Sequence, residues 1–221
     1  MTKQVHVIIN PAAGKSEAIL NTLNEVFHPA GIQWKVDITL ASGDARRYAN
    51  QAAQAGADIV AVYGGDGTVM EAAQGVMGGD TPLAVLPGGT ANLISVELRI
   101  PKDLKQAAKI AISPDSVVKK ADLGQVGEDY FMLRTGIGFE GQNIQTADRE
   151  LKDRFGILAY SIAGIKTLHE SQVADYRLTL DGRQVEAQGF NCLVDNCGNS
   201  GTYNMRIASG ISIHDGLLDV I

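Results

Sequence analysis

Residues 63–71, Tyr63-Gly64-Gly65-Asp66-Gly67-Thr68-Val69-Met70-Glu71, combine glycines, a carboxylate and a hydroxyl in an order suited to phosphate chemistry. They follow the apolar run Ile59-Val60-Ala61-Val62 and lead into the helix-permissive segment Val69-Met70-Glu71-Ala72-Ala73. A strand that ends in glycines lets a phosphate approach the backbone, and the unpaired amides of a helix's first turn favour an anion. A carboxylate at that spot would repel phosphate unless a divalent cation sat between them. The stretch therefore predicts a nucleotide phosphate site with magnesium, with Asp66 at its centre. The competing reading is a tight turn in which Asp66 or Thr68 caps the helix. Taken alone, the segment leaves both open.

Two further turns share the pattern. Asn10-Pro11-Ala12-Ala13-Gly14-Lys15 follows an apolar run, and its amides could face a phosphate with Lys15 adding charge. It lacks the spacing of a P-loop and, taken alone, reads more readily as a plain turn with Ser16 capping the next helix. Leu86-Pro87-Gly88-Gly89-Thr90-Ala91-Asn92-Leu93 again sets glycines before a helix, with Thr90 and Asn92 offering hydrogen bonds. Three such turns on one edge sketch a nucleotide cleft.

The elements that must position these turns alternate up to about Ala121. Strands are expected at Val5–Ile9, Gln33–Ile38, Asp58–Val62 and Leu83–Leu86. Helices are expected at Ser16–Phe27, with Ile19, Leu20, Leu23 and Val26 on one face, and at Asp44–Ala55 and Gly67–Met77. Continuous apolar strands between amphipathic helices indicate a mostly parallel sheet covered on both faces. Right-handed crossovers then leave all strand C-termini on one edge, where ligands bind. Beyond residue 121 the rhythm changes to strand-like runs at Tyr130–Thr135, Tyr176–Leu180, Glu186–Val194 and Leu217–Ile221, with a helical interruption over about 142–169. The expected domains are 1–121, a nucleotide-binding α/β unit, and 122–221, a β-rich sandwich.

Composition bounds the partners. With 45% hydrophobic and 20% charged residues, the chain can bury a substantial core. A formal charge of −6 argues against broad binding to nucleic acid or an anionic membrane. No apolar run is long enough to span a bilayer, and the N-terminal one is too short for a signal peptide. The expectation is a cytoplasmic protein with Cys192 and Cys197 reduced. The four histidines, at 6, 28, 169 and 214, have no metal-ligand spacing, and Lys119-Lys120 and Arg46-Arg47 read as solvated faces.

In register, Asn-Pro-x-x-Gly-Lys, Gly-Gly-Asp-Gly-Thr with Glu71 three residues on, and Pro-x-Gly-Thr-Ala-Asn resemble the diacylglycerol kinase catalytic-domain family, which includes bacterial lipid kinases and the sphingosine and ceramide kinases. Asp122-Leu123-Gly124, Phe155-Gly156-Ile157-Leu158-Ala159-Tyr160 and His214-Asp215-Gly216-Leu217-Leu218-Asp219-Val220 are similar to later family segments. The resemblance covers essentially the whole chain.

The resemblance implies a Rossmann-like domain, then a β-sandwich, with ATP as co-substrate, Mg2+ as cofactor and a diacylglycerol-like lipid as acceptor in phospholipid metabolism. It implies that Asn10, Gly64, Gly65, Gly67 and Thr68 contact phosphates, that Thr90 and Asn92 hold the nucleotide, and that Glu71 points back toward it. Asp66 would act through magnesium or near the acceptor hydroxyl, and Asp215 would hold a second magnesium or simply make a turn. Leu93 replaces the family's second Asn-Asp position. Family members continue past the point matching Ile221 into a late Asp-Gly-Glu motif, which implies a sandwich truncated at its C-terminus. Unfinished strand edges would favour a homodimer, and membrane contact would be peripheral, at the inner face. The alternatives are an NAD kinase-like small-molecule kinase, which shares the central turn, and a non-catalytic nucleotide- or lipid-binding protein. A phosphofructokinase-like enzyme also uses such a turn, but the surrounding motifs do not match.

Overall fold

The computed structural model describes residues 3–14, 17–138, 173–199 and 206–221. Lys15, Ser16, the 142–169 segment and the Phe155–Tyr160 motif therefore lie partly or wholly outside the described residues. The chain divides into two compact units, Met1–Ala121 and Asp122–Ile221.

The first unit carries a four-stranded sheet of β1 (Gln4–Ile9), β2 (Gln33–Ile38), β3 (Ile59–Gly64) and β4 (Leu83–Pro87), ordered β2-β1-β3-β4. Every neighbouring pair is parallel, with Val7 opposite Val36 and Ala61, and Val62 opposite Val85. β3 is buried along its whole length, as a central strand covered on both faces must be. Alternation then sorts its side chains. Val5, Val7 and Ile9 of β1 share a core with Ile59, Ala61 and Tyr63 of β3. Leu23, Val26 and Phe27 of α1 (Ile19–Phe27) and Leu104, Ala107 and Ala108 of α5 (Leu104–Ile112) close that core. Phe27 meets Trp34 edge to face at 5.6 Å. α2 (Asp44–Gln54) and α3 (Asp66–Val76) pack against each other and against the sheet strands.

Several elements differ from expectation for identifiable reasons. α1 begins at Ile19 rather than Ser16, and Leu20 is half exposed because Leu23, Val26 and Phe27 supply the buried stripe. α3 starts one residue early, at Asp66, with Gly65 as its N-cap. α5 was not anticipated, although its signal is plain: Asp103 caps it by accepting the amide of Gln106 at 2.8 Å.

In the second unit the run Tyr130–Thr135 splits between β6 (Asp129–Phe131) and β7 (Arg134–Gly138). The run Glu186–Val194 splits between β9 (Arg183–Gly189) and β10 (Asn191–Asp195), which join different sheets. β9 pairs antiparallel with β8 (Ala174–Leu180) across Asp181-Gly182, both at positive φ as a two-residue hairpin requires. β10 pairs with β7 and with β11 (Asp219–Val220), and β5 (Gly124–Val126) pairs with β6. Buried Asn196 holds this unit's core together by donating to the carbonyls of Asp122 and Met132, both at 2.8 Å. Arg134 pairs with buried Asp195 at 3.5 Å and donates to the carbonyl of Asn199. Cys192 and Cys197 are both buried free thiols.

The α2–α3 crossing gives a direct test. Ala45, Ala49 and Ala52 face inward on α2, and a Cβ at Gly75 of α3 would lie 2.3 Å from the Arg46 carbonyl and 2.8 Å from Ala49 Cβ. Gly75→Ala should destabilise the chain by about 1–3 kcal/mol through overpacking. Urea denaturation would show it, and an unchanged midpoint would refute the crossing.

Candidate functional site

In the order β2-β1-β3-β4 the strand order reverses between β1 and β3, so the crevice outside the C-terminal ends of these parallel strands is the natural ligand site. The turns after β1, β3 and β4 meet there, backbone to backbone. A Cβ on Gly14, which has φ +86, would fall 1.6 Å from the carbonyl oxygen of Gly88. A Cβ on Gly89 would fall 2.7 Å from Gly65 Cα. Only glycine permits these approaches. Gly88 N donates to Gly64 O at 3.0 Å and Asn10 N to Tyr63 O at 2.9 Å, extending the ladder into the turns.

Beneath them lies Tyr63, fully buried, with its hydroxyl donating to Glu17 at 2.5 Å. Burial, reinforced by the Glu17 carboxylate, pushes its phenol pKa upward, so it stays neutral. A Cβ at Gly88 would touch its ring at 2.7 Å, so the aromatic face supports the third turn.

Side chains then lock the turns together. Asn10 accepts the Ala12 amide at 3.0 Å through Oδ1 and donates through Nδ2 to Thr68 Oγ1 at 2.8 Å. Because the Thr68 oxygen accepts that bond, its hydroxyl proton is left to donate elsewhere. Asn92, in the left-handed region at φ 52, accepts the Gly89 amide at 2.8 Å and returns a bond to the Gly89 carbonyl at 2.6 Å. Its side chain closes the 89–92 turn. Thr90 stands exposed on that turn.

Asp66 occupies a place that sequence reasoning did not foresee. It does not cap its own helix: no side chain caps α3. Its Oδ1 instead accepts the amide of Ile94 at 2.9 Å, at the start of α4 (Leu93–Glu97). The intrahelical ladder of α3 begins with Val69 N donating to Gly65 O, leaving the amides of Asp66, Gly67 and Thr68 outside it. Among the described residues, none donates to Asp66 Oδ2. One free carboxylate oxygen beside a helix N-terminus is a fitting donor for a hard divalent ion that keeps waters and phosphate oxygens in its shell. No group of three or more His, Cys, Asp or Glu side chains could hold a metal among the described residues.

Glu71 does not reach back toward the phosphate turn. Its carboxylate accepts the Gly43 amide at 2.9 Å and the Ser42 hydroxyl at 3.1 Å, in the loop between β2 and α2. Asp215 lies in the second unit, where its Oδ1 accepts the Leu217 amide at 3.1 Å. The neighbouring Gly216, at φ 75, donates its amide to Asp122 at 2.7 Å. That is the geometry of a turn aspartate.

A parallel α/β unit whose glycine turns converge on one sheet edge, followed by a β-rich unit, defines a class whose ligands bind beyond the strand ends. Residues 4–126 match the family model of the diacylglycerol kinase catalytic domain, and residues 135–221 match that of the YegS C-terminal NAD kinase beta sandwich-like domain. The chain belongs to the diacylglycerol kinase catalytic domain family. It is 29% identical to the diacylglycerol kinase of Bacillus subtilis (strain 168), over 99% of this chain and 73% of that protein. An uncharacterized protein of Synechocystis is also 29% identical, over 99% of this chain and 53% of its own length. The chain thus spans about half of that relative. The crystal structure of a diacylglycerol kinase from Bacillus anthracis str. Sterne matches with a TM-score of 0.77 at 29% identity, covering 99% of this chain and 72% of that one. Among the described residues, no helix is long and apolar enough to cross a membrane.

The loop after β2 also ends on the site's edge, although it carries no glycine-rich motif of the kind that marks the other three turns. Asp44 accepts the amides of Leu40 and Ala41 at 2.9 and 3.0 Å and pairs with Arg47 at 2.6 Å. The Arg47 bond, with the two amides, holds its carboxyl at a pKa of about 2. A carboxyl depressed below its unfolded value of about 3.9 adds stability above that pH, and the contribution disappears as pH falls through about 2. Asp44→Asn should therefore lose less stability than the parent between about pH 4 and pH 2. Thermal midpoints followed across that window check this, and parallel acid profiles would contradict it.

Proposed function

We propose that this chain transfers the γ-phosphoryl group of ATP to the hydroxyl of a diacylglycerol-like lipid, with residues 1–121 binding the nucleotide. Membership of a lipid-kinase family supports the reaction class. The observation that carries the site is Asp66: one oxygen fixed on the Ile94 amide, the other without a donor among the described residues, beside the open amides of α3.

Phosphoryl transfer asks the protein mainly for positioning and charge stabilisation. The amides of Asp66, Gly67 and Thr68 and the Thr68 hydroxyl would bind phosphate oxygens. Asn10 would orient that hydroxyl, while Gly65 and Gly89 let the chain approach without intervening side chains. Asn92 would act by shaping the 89–92 turn, on which Thr90 is free to donate. Asp66 would hold magnesium, which supplies neutralisation of the phosphate charge when bound. Contact with the lipid would be peripheral.

Asp66→Asn separates chemistry from architecture, because the amide oxygen can still accept from Ile94 while the charge is gone. Transfer should fall by at least about 100-fold with an unchanged unfolding midpoint. The assay is radiolabelled ATP with diacylglycerol, phosphatidylglycerol, a sphingoid base and NAD as acceptors. Undiminished transfer by a folded variant would overturn the role of Asp66. Product on NAD alone would replace the lipid reading, and nucleotide binding without any product would make the chain a binding protein.

A further inference from the structure

Glu71 sits on the same helix as Asp66, yet helix geometry sends it elsewhere. Five residues at 3.6 per turn place it about 140° around the axis and roughly 7.5 Å further along. From there its two carboxylate oxygens take the Ser42 hydroxyl and the Gly43 amide. Gly43 is the N-cap of α2, at φ 87, and no side chain of its own helix caps that end. Asp44 binds the other half of the same loop through the amides of Leu40 and Ala41. Residues 40–43 are all exposed, Leu40 at 88%; the amides of Leu40, Ala41 and Gly43 and the Ser42 hydroxyl donate to these two carboxylates, while the Ala41 and Gly43 carbonyls accept the Asp44 and Arg47 amides.

This loop is part of the site's edge. Thr39 N donates to the Ile9 carbonyl at 2.9 Å, which places the loop's root beside Asn10 and the first glycine turn. Helix α3 therefore does two things: its N-terminus presents amides and Asp66, and its middle ties down the loop after β2.

We infer that Glu71 is a positioning residue for the nucleotide, acting through residues 40–43 rather than by touching the phosphates or a metal. The inference rests on the ATP-binding reading above. The held loop forms a rim of the nucleotide site, and without Glu71 the Ser42 and Gly43 donors turn to water and the rim becomes mobile. Affinity for ATP falls while the transfer step on bound ATP is preserved.

The test compares Glu71→Ala, Glu71→Gln and Ser42→Ala with the parent. Amide hydrogen exchange across 40–45, measured without nucleotide, should speed up at least tenfold in Glu71→Ala. KM for ATP should rise about tenfold with kcat within about twofold. Glutamine keeps one acceptor, and Ser42→Ala keeps the Gly43 bond, so both should fall between alanine and the parent. Unchanged exchange in Glu71→Ala overturns the inference. So does a loss in kcat equal for glutamine and alanine, which marks direct contact with the reacting groups. A parent chain that binds no ATP overturns the proposed function itself and this role with it, whereas a parent that binds ATP and a Glu71→Ala variant of equal affinity overturn only the inference.

Discussion

Backbone touching backbone is the constraint on which this site depends. Gly14 abuts Gly88 and Gly65 abuts Gly89, so three turns from three parallel strands occupy a space that side chains would fill. The parallel sheet makes the meeting unavoidable, since every strand ends on the same edge. The buried ring of Tyr63 forms the floor under it. Given that packing, the polar side chains have little choice of partner. Asn10 meets Thr68, Asn92 folds onto Gly89, and Asp66 reaches the start of α4.

This arrangement changes what the polar residues are for. Asn10 and Asn92 look in isolation like ligand contacts, yet their hydrogen-bonding groups are largely spent on the turns. They shape the cleft more than they line it. Asp66 divides its labour, one oxygen for architecture and one outward. Buried polar groups of the second unit follow the same economy: Asn196 joins Asp122 to Met132, and Arg134 accompanies Asp195 into the interior.

The first unit was legible because its signals are local. Apolar strands, glycine turns and helix periodicity each occupy a few consecutive residues, and β1 to β4 and α1 to α3 follow from them. The motifs that carry the family resemblance sit on those turns for the same reason. What stayed hidden was set by tertiary contacts. No spacing says that Glu71 bonds Gly43, or that Asp66 bonds Ile94 instead of its own helix. The split of 186–194 into strands of two sheets is of the same kind, since continuous β-propensity does not reveal where a strand changes partner. Helix α5 and the Asp181-Gly182 hairpin are different. Their capping and turn residues were in plain sight.

The bonds that lock the turns have long reach along the chain: Asn10 to Thr68 spans 58 residues and Asp66 to Ile94 spans 28. Loop closure must come first, so such contacts raise contact order and reward the chain only after its strands have docked. The cleft therefore keeps its shape only while β1, β3 and β4 are docked, because its bonds join the turns that follow all three. Its geometry reports on completion of the sheet, and a chain with helices formed but β4 undocked would possess every residue of the site and none of its shape.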